Sequence, residues 1–171
     1  GSYNCPEYAR FDFTHFEKPT EEQLNEVERI VNEHINDAYP VVTEVMSIDE
    51  AKKTGATALF DEKYGDTVRV VTMGPSKEFC GGTHASNTAD LGCFKIVSEE
   101  SIGSGVRRIE CVTKMEAYKA LKANEVKLND LRDSLKLKNS DMIPGRVDQM
   151  KQNISSLENE KAQLLLRVLN L

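Results

Sequence analysis

Thr67-Val68-Arg69-Val70-Val71-Thr72-Met73, followed seven residues later by Cys80-Gly81-Gly82-Thr83-His84, is the stretch on which the reading of this chain turns. The first segment alternates like a half-buried strand, and a second such run, Cys93-Phe94-Lys95-Ile96-Val97, follows the loop. A glycine-rich loop between strands is a usual place for a functional site. Here it joins a thiol and an imidazole, four positions apart, through two glycines and a hydroxyl. Glycine takes backbone angles that other residues avoid, so the chain can bend sharply and let the Cys80 sulfur and a His84 nitrogen converge on one ion. Zinc accepts both donors but needs four protein ligands in a structural site, or three plus water in a catalytic one. The loop supplies two. Either the remaining ligands come from elsewhere or this is half a site; a free cysteine also serves as a small core residue.

Working outward, residues 9–15 alternate as a strand, and Thr20 with Gln23 makes the capping box of a helix. Leu24, Val27, Ile30, Val31, Ile35 and Ala38 line one face of that helix, and Pro40 follows its end. Residues 41–46 read as a strand, and Ser47 with Glu50 caps a short helix ending near Gly55. Strands at 67–73, 93–98 and 106–112 complete an α+β unit, with helices packed on a mainly antiparallel sheet. Gly103-Ser104-Gly105 has the composition of a phosphate cradle but reads better as a hairpin turn. After Thr113 the pattern becomes heptad-like, through Ala117, Leu121, Asn124, Leu128, Leu131 and Leu135. A second run goes through Val147, Met150, Ile154, Leu157, Lys161, Leu164, Val168 and Leu171, and residues 139–145, which contain Pro144, interrupt between them. Two apolar stripes joined by a turn predict an antiparallel helical hairpin. The expected division is therefore 1–113 and 114–171. Leu165, Leu166 and Leu169 widen the last apolar face, so a homodimer through the helical tail is one expectation and an exposed end the other.

The 171 residues suit one domain plus an appendage, and no apolar run reaches the length of a membrane span. Four widely spaced cysteines give no disulfide framework, which favours a reducing, cytoplasmic setting. Residues 1–113 hold 11 basic and 20 acidic residues, net −9; residues 114–171 hold 11 and 8, net +3; together they give the −6 of the chain. Bulk charge therefore does not make the first part an RNA-binding surface.

Residues 80–84, continued by Ala85-Ser86-Asn87-Thr88-Ala89-Asp90-Leu91-Gly92, resemble the signature of the editing domain of alanyl-tRNA synthetases. Three further segments resemble that family in the same order. They are Arg10-Phe11-Asp12-Phe13-Thr14-His15, then residues 55–65, then Gly105-Val106-Arg107-Arg108-Ile109-Glu110. Threonyl-tRNA synthetases have a related domain, whose loop usually reads Gly-Pro-His where this chain has Gly82-Thr83-His84. In the alanyl family the Cys-x-x-x-His element is paired with an upstream His-x-x-x-His on a helix. The three histidines here, His15, His34 and His84, do not form that pair. The resemblance thus implies a fragment that begins just after the histidine helix and holds half of a zinc site, Cys80 and His84.

The resemblance also implies the chemistry. The domain would hydrolyse serine or glycine misattached to the 3′ end of tRNA(Ala), in a parent enzyme that attaches alanine using ATP and magnesium in a part outside this chain. Thr83 is the catalytic candidate: its hydroxyl would bond the serine hydroxyl, place a water, or merely brace the turn. Gly81, Gly82, Arg107 and Arg108 are candidates for substrate binding. The two arginines alternate to opposite faces of a strand, so at most one is expected to face the substrate and the other to form an ion pair. His15 is expected to border the site or make a structural bond, His34 to lie on the surface, and Asp12 and Asp90 to orient loops or ligands. Two other readings are a free-standing deacylase of the same superfamily and a non-enzymatic helical module with a structural metal knuckle.

Overall fold

The structure is a computed structural model that describes residues 1–58 and 65–169. Residues 59–64 of the 55–65 segment, and Leu171 of the second heptad run, lie outside the described residues. The chain divides into two compact units, Gly1–Ala120 and Leu121–Leu171.

The first unit holds two antiparallel sheets. One has the order β1-β2-β7-β6, from Ser2–Asn4, Ala9–Thr14, Val106–Thr113 and Phe94–Gly103. The other has the order β3-β4-β5, from Val41–Ser47, Thr67–Met73 and Ser76–Phe79. The ladders between these strands are antiparallel, in keeping with the mainly antiparallel reading, and Thr57 adds a parallel bridge to Glu78. Helix α1 (Glu21–Asn36) and helix α2 (Ile48–Lys53) each begin with the predicted capping box, at Thr20–Gln23 and Ser47–Glu50. The short strands β1 and β5 escape the periodicity because three or four residues carry too little pattern. Gly103 and Val106 pair across the β6–β7 turn, so Gly103-Ser104-Gly105 is a hairpin turn.

Strand β4 is the buried centre of its sheet. Val68 and Val70 pack with Ala51 of α2 and with Phe79, while Val71, on the opposite face, is also buried. The four-stranded sheet owes its inner surface to a bulge. Strand β6 shifts register between Ile96 and Ser98, so Ile96 pairs with Cys111 and Glu99 with Ile109. A one-residue bulge reverses which side chains face which way. Glu99 thereby joins Ile96 on one face and meets Arg107 diagonally across the ladder.

Helix α1 docks on β6 through polar groups as well as its apolar stripe. The Asn32 side chain donates to the Phe94 carbonyl and accepts from the Phe94 N–H, both at 2.9 Å. The Glu28 carboxylate accepts from the Ile96 N–H and from Lys95 Nζ, both at 2.7 Å. These side chains satisfy the outward-facing backbone groups of an edge strand.

The C-terminus of α1 departs from the sequence reading. Ala38, expected on the apolar helix face, lies beyond the helix at φ 55°, where its N–H donates to the Ile35 carbonyl. This is half of a Schellman termination, whose second bond would run from the Tyr39 N–H to the His34 carbonyl. Instead, the buried Thr88 hydroxyl stands between them. It accepts from the Tyr39 N–H at 2.9 Å and donates to the His34 carbonyl at 2.6 Å.

The described part of the second unit contains the rest of α3 (Lys114–Ser134), a 3₁₀ turn (Ser140–Met142) and α4 (Ile143–Leu169). Helix α3 ends in a complete Schellman motif. Lys136 sits at φ 55°, its N–H donates to the Asp133 carbonyl, and the Leu137 N–H donates to the Arg132 carbonyl. Pro144 falls in the first turn of α4, where its missing N–H costs nothing, so it starts that helix as well as separating it from α3. The heptad stripes remain exposed: Leu131 at 44%, Leu157 at 63% and Leu164 at 59%. Among the described residues, no helix is long and apolar enough to cross a membrane.

Candidate functional site

The 80–84 loop leaves the end of β5 and returns toward α1. Its start is fixed on β4, where the Cys80 N–H donates to the Arg69 carbonyl at 3.1 Å. Its far end is fixed on the segment between α1 and β3. The Val41 N–H donates to the Ser86 carbonyl, the Thr88 N–H to the Tyr39 carbonyl, and the Asn87 side chain to the Ala38 carbonyl. Asn87 also caps a 3₁₀ turn, Thr88–Leu91, with Asp90 completing the capping box, so Asp90 orients the loop as expected.

Between these anchors the two donors converge. A Cβ placed on Gly82 would lie 3.8 Å from Cys80 Sγ and 4.0 Å from His84 Cε1, so both side chains border the space beside this glycine. Neither Gly81 nor Gly82 has a positive φ, and the sharp-angle argument does not apply to them. What Gly82 contributes is open space between thiol and imidazole. The His84 Nδ1 is buried and has no hydrogen-bond partner. A buried unpaired ring nitrogen is costly unless something fills it, and it suits a metal or a ligand. Cys80 and His84 therefore fit as two zinc ligands. Among the described residues no third histidine, cysteine or carboxylate joins them.

His84 and Thr83 line a cavity of about 460 Å³. The four-stranded sheet contributes Ala9, Phe94, Cys111 and Thr113, and the three-stranded sheet contributes Val41 and Met73. The Thr83 hydroxyl makes no hydrogen bond among the described residues, so it does not brace the turn. Arg69 does that instead: its Nη1 donates to the Gly81 carbonyl and to the Gly82 carbonyl, both at 2.9 Å. The carbonyls of both glycines, proposed for substrate, are engaged there. Arg69 was legible only as a charge inside an otherwise apolar strand, and Thr88 carried no sequence signal. Burial raises the Cys111 thiol above its ordinary pKa, with Glu110 adding to the effect, so this cavity-lining sulfur stays protonated near neutrality.

At most one of the two arginines was expected to face the substrate, and both form ion pairs here. Arg107 forms a two-pronged pair with Glu99, through Nε to Oε1 and Nη2 to Oε2, with side chains only 11% and 4% exposed. Arg108 pairs with Asp12, its cross-strand neighbour, at 2.7 and 2.8 Å. Each arginine's hydrogen bonds hold its partner's carboxyl below the ordinary range. Neither lines the cavity. His15 borders a different cavity, with Phe13, Leu24, Val27 and Ile109, and stacks on Phe13. His34 is half-buried, edge-on to Tyr39, and its carbonyl takes the Thr88 proton.

Residues 68–110, which include the whole loop, match the family model described as "Threonyl and Alanyl tRNA synthetase second additional domain". The alanine–tRNA ligase of Latilactobacillus sakei is 50% identical over 165 residues, covering 96% of this chain and 19% of the relative. That of Enterococcus faecalis is 48% identical over 171 residues, covering 99% and 19%. That of Caldicellulosiruptor saccharolyticus is 47% identical over 169 residues, covering 97% and 19%. The chain spans about a fifth of the length of the curated relatives it matches. On the loop, the fold around it and this similarity along nearly the whole chain, the chain belongs, as a segment, to the alanine–tRNA ligase family.

Proposed function

We propose that this segment is the editing part of an alanine–tRNA ligase and hydrolyses serine or glycine wrongly esterified to the 3′ end of tRNA(Ala). The observation that carries the proposal is the buried, unpartnered His84 Nδ1, which shares the space at Gly82 with Cys80 and borders a cavity of about 460 Å³. A synthetic site for alanine distinguishes one methyl or one hydroxyl by only about 1–3 kcal/mol, so a second, hydrolytic selection is needed. In the reaction, water adds to the ester carbonyl carbon and the bond to the ribose oxygen breaks. The amino acid leaves as a carboxylic acid and the ribose regains its hydroxyl.

Cys80 and His84 hold zinc in this reading, with the remaining ligands supplied by a part of the parent outside the described residues. When bound, the ion supplies Lewis acidity to polarise a carbonyl or activate water. Thr83 lines the same cavity with an uncommitted hydroxyl, which suits it to bond the serine hydroxyl or a water. Arg107 and Arg108, held by Glu99 and Asp12, act on the sheet and not on the substrate. The parent enzyme joins alanine to tRNA with ATP and magnesium in its other domains and works in the cytoplasm. The exposed leucines of α4 suit a homodimer through the helical tail. Sedimentation that stays strictly monomeric, and does not change when residues 140–171 are removed, would exclude that dimer.

The deciding experiment compares the full-length parent with its Cys80→Ala variant, measuring release of serine from seryl-tRNA(Ala) and bound zinc per chain. Loss of both is expected, with alanine attachment retained. Unchanged serine release from the Cys80→Ala protein would refute the ligand assignment. The 1–171 segment alone is expected to hold zinc weakly, and tight one-to-one binding would refute the half-site.

A further inference from the structure

We propose that Arg69 is the positioning residue of the 80–84 loop, holding Cys80 and His84 toward one another while touching neither side chain. Three bonds carry this. The Arg69 carbonyl accepts the Cys80 N–H at 3.1 Å, and its Nη1 donates to the Gly81 and Gly82 carbonyls at 2.9 Å each. Among the described residues, the two bonds from Nη1 are the only hydrogen bonds made by residues 81–84. A Cβ on Gly81 would meet nothing within 4 Å, so packing does not hold that residue either. Without the guanidinium, the segment between Cys80 and Ser86 has no internal tether.

The base of the brace is set in a buried strand, and its two bonds come from a charged donor. Arg69 sits in β4 between Val68 and Val70, with Val71 two positions along its own face; all three valines are buried. Charge-assisted hydrogen bonds are the stronger kind. Arg69 forms no ion pair among the described residues, although the unit is rich in carboxylates, so its charge is directed at the two carbonyls. With both carbonyls turned to β4, the turn closes so that thiol and imidazole border the same space at Gly82. Groups that orient metal ligands commonly change metal affinity by about 10–100-fold when removed. That part of the inference rests on the zinc reading; the bracing itself does not.

Two measurements separate them. In the 1–171 chain kept in chelator, ¹⁵N relaxation should give amide order parameters of about 0.85 at residues 81–84, falling below about 0.6 in Arg69→Met, with partial return in Arg69→Lys. Val70 and Val71 report in the same spectra that β4 is intact. Order parameters at 81–84 that do not change in Arg69→Met would overturn the proposal. Should that variant fail to fold, Arg69→Gln, whose shorter stem cannot span both carbonyls, is read by the same criterion. In the full-length parent, Arg69→Met should weaken zinc retention by about 10–100-fold, and Arg69→Lys by less. A loosened loop with unchanged zinc retention would leave the brace standing and sink the assignment of Cys80 and His84 as ligands.

Discussion

Replacing Thr88 by valine removes one oxygen and keeps the shape, yet it should be among the costlier single changes in the first unit. The hydroxyl accepts from the Tyr39 N–H and donates to the His34 carbonyl in a side chain only 8% exposed, so water does not readily take its place. Each backbone group left unpaired in such surroundings costs about 1–3 kcal/mol. Two of them would give roughly 2–6 kcal/mol, and partial relaxation of the chain brings the expected loss to roughly 2–4 kcal/mol. For a urea slope of about 2 kcal/mol per molar, the midpoint should fall by roughly 1–2 M with unchanged slope. Thr88→Ser keeps both bonds and gives up a methyl, so its cost should be near ~1 kcal/mol. Urea titrations of wild type and both variants, followed by far-UV circular dichroism, make the comparison. A Thr88→Val midpoint within about 0.3 M of wild type would show that the Tyr39 N–H reaches the His34 carbonyl directly and that the hydroxyl is dispensable.

Other expectations follow from the same geometry. Lys136 occupies a left-handed position that favours glycine, so Lys136→Gly should stabilise the helical unit by about 0.5–1 kcal/mol; a lower melting temperature would contradict the Schellman assignment. Gly55 and Gly74 both have positive φ. A Cβ meets nothing at Gly55 but would clash with the Tyr39 ring at Gly74, so Gly74→Ala should destabilise clearly more than Gly55→Ala in parallel urea titrations. The Glu99 and Asp12 carboxyls are depressed by Arg107 and Arg108, so they titrate lower folded than unfolded. Their stabilisation is fully present above the unfolded values near 4.5 and 3.8 and is lost as pH falls below them through the folded values. Glu99→Gln should flatten that acid limb in urea midpoints measured across it, and an unaltered limb would exclude the pair as a cause. Alkylation followed by mass spectrometry should modify exposed Cys93 before Cys111, whose thiol is raised by burial; the reverse order would refute that burial.

Much of this fold is legible in the sequence because its signals are local. Thr20–Gln23 and Ser47–Glu50 announce two helices four residues at a time, and Val68 to Val71 announce a buried strand. The thiol–glycine–imidazole loop is legible for the same reason. What escaped depends on residues far apart in the chain. The partners of Arg107 and Arg108 follow from a bulge and from a β2–β7 register that no local pattern encodes. Arg69 and Thr88 act on backbone groups, which have no side-chain signature to pair with. Gly82 was anticipated for its freedom of angle, whereas the folded chain uses its lack of bulk. The heptads gave two helices, but the first ends in the Schellman turn at Lys136 and Pro144 lies inside the first turn of the second, and periodicity alone does not say what covers their apolar faces.

The way Asn32 and Glu28 grip the rim of β6 has a consequence for assembly. Greasy contacts tolerate sliding, and a helix resting on them alone could settle one turn too far along. Four directional bonds from a single amide and a single carboxylate admit just one alignment. Any slippage strands two amide hydrogens and a carbonyl together, which disfavours misdocked arrangements relative to the native one.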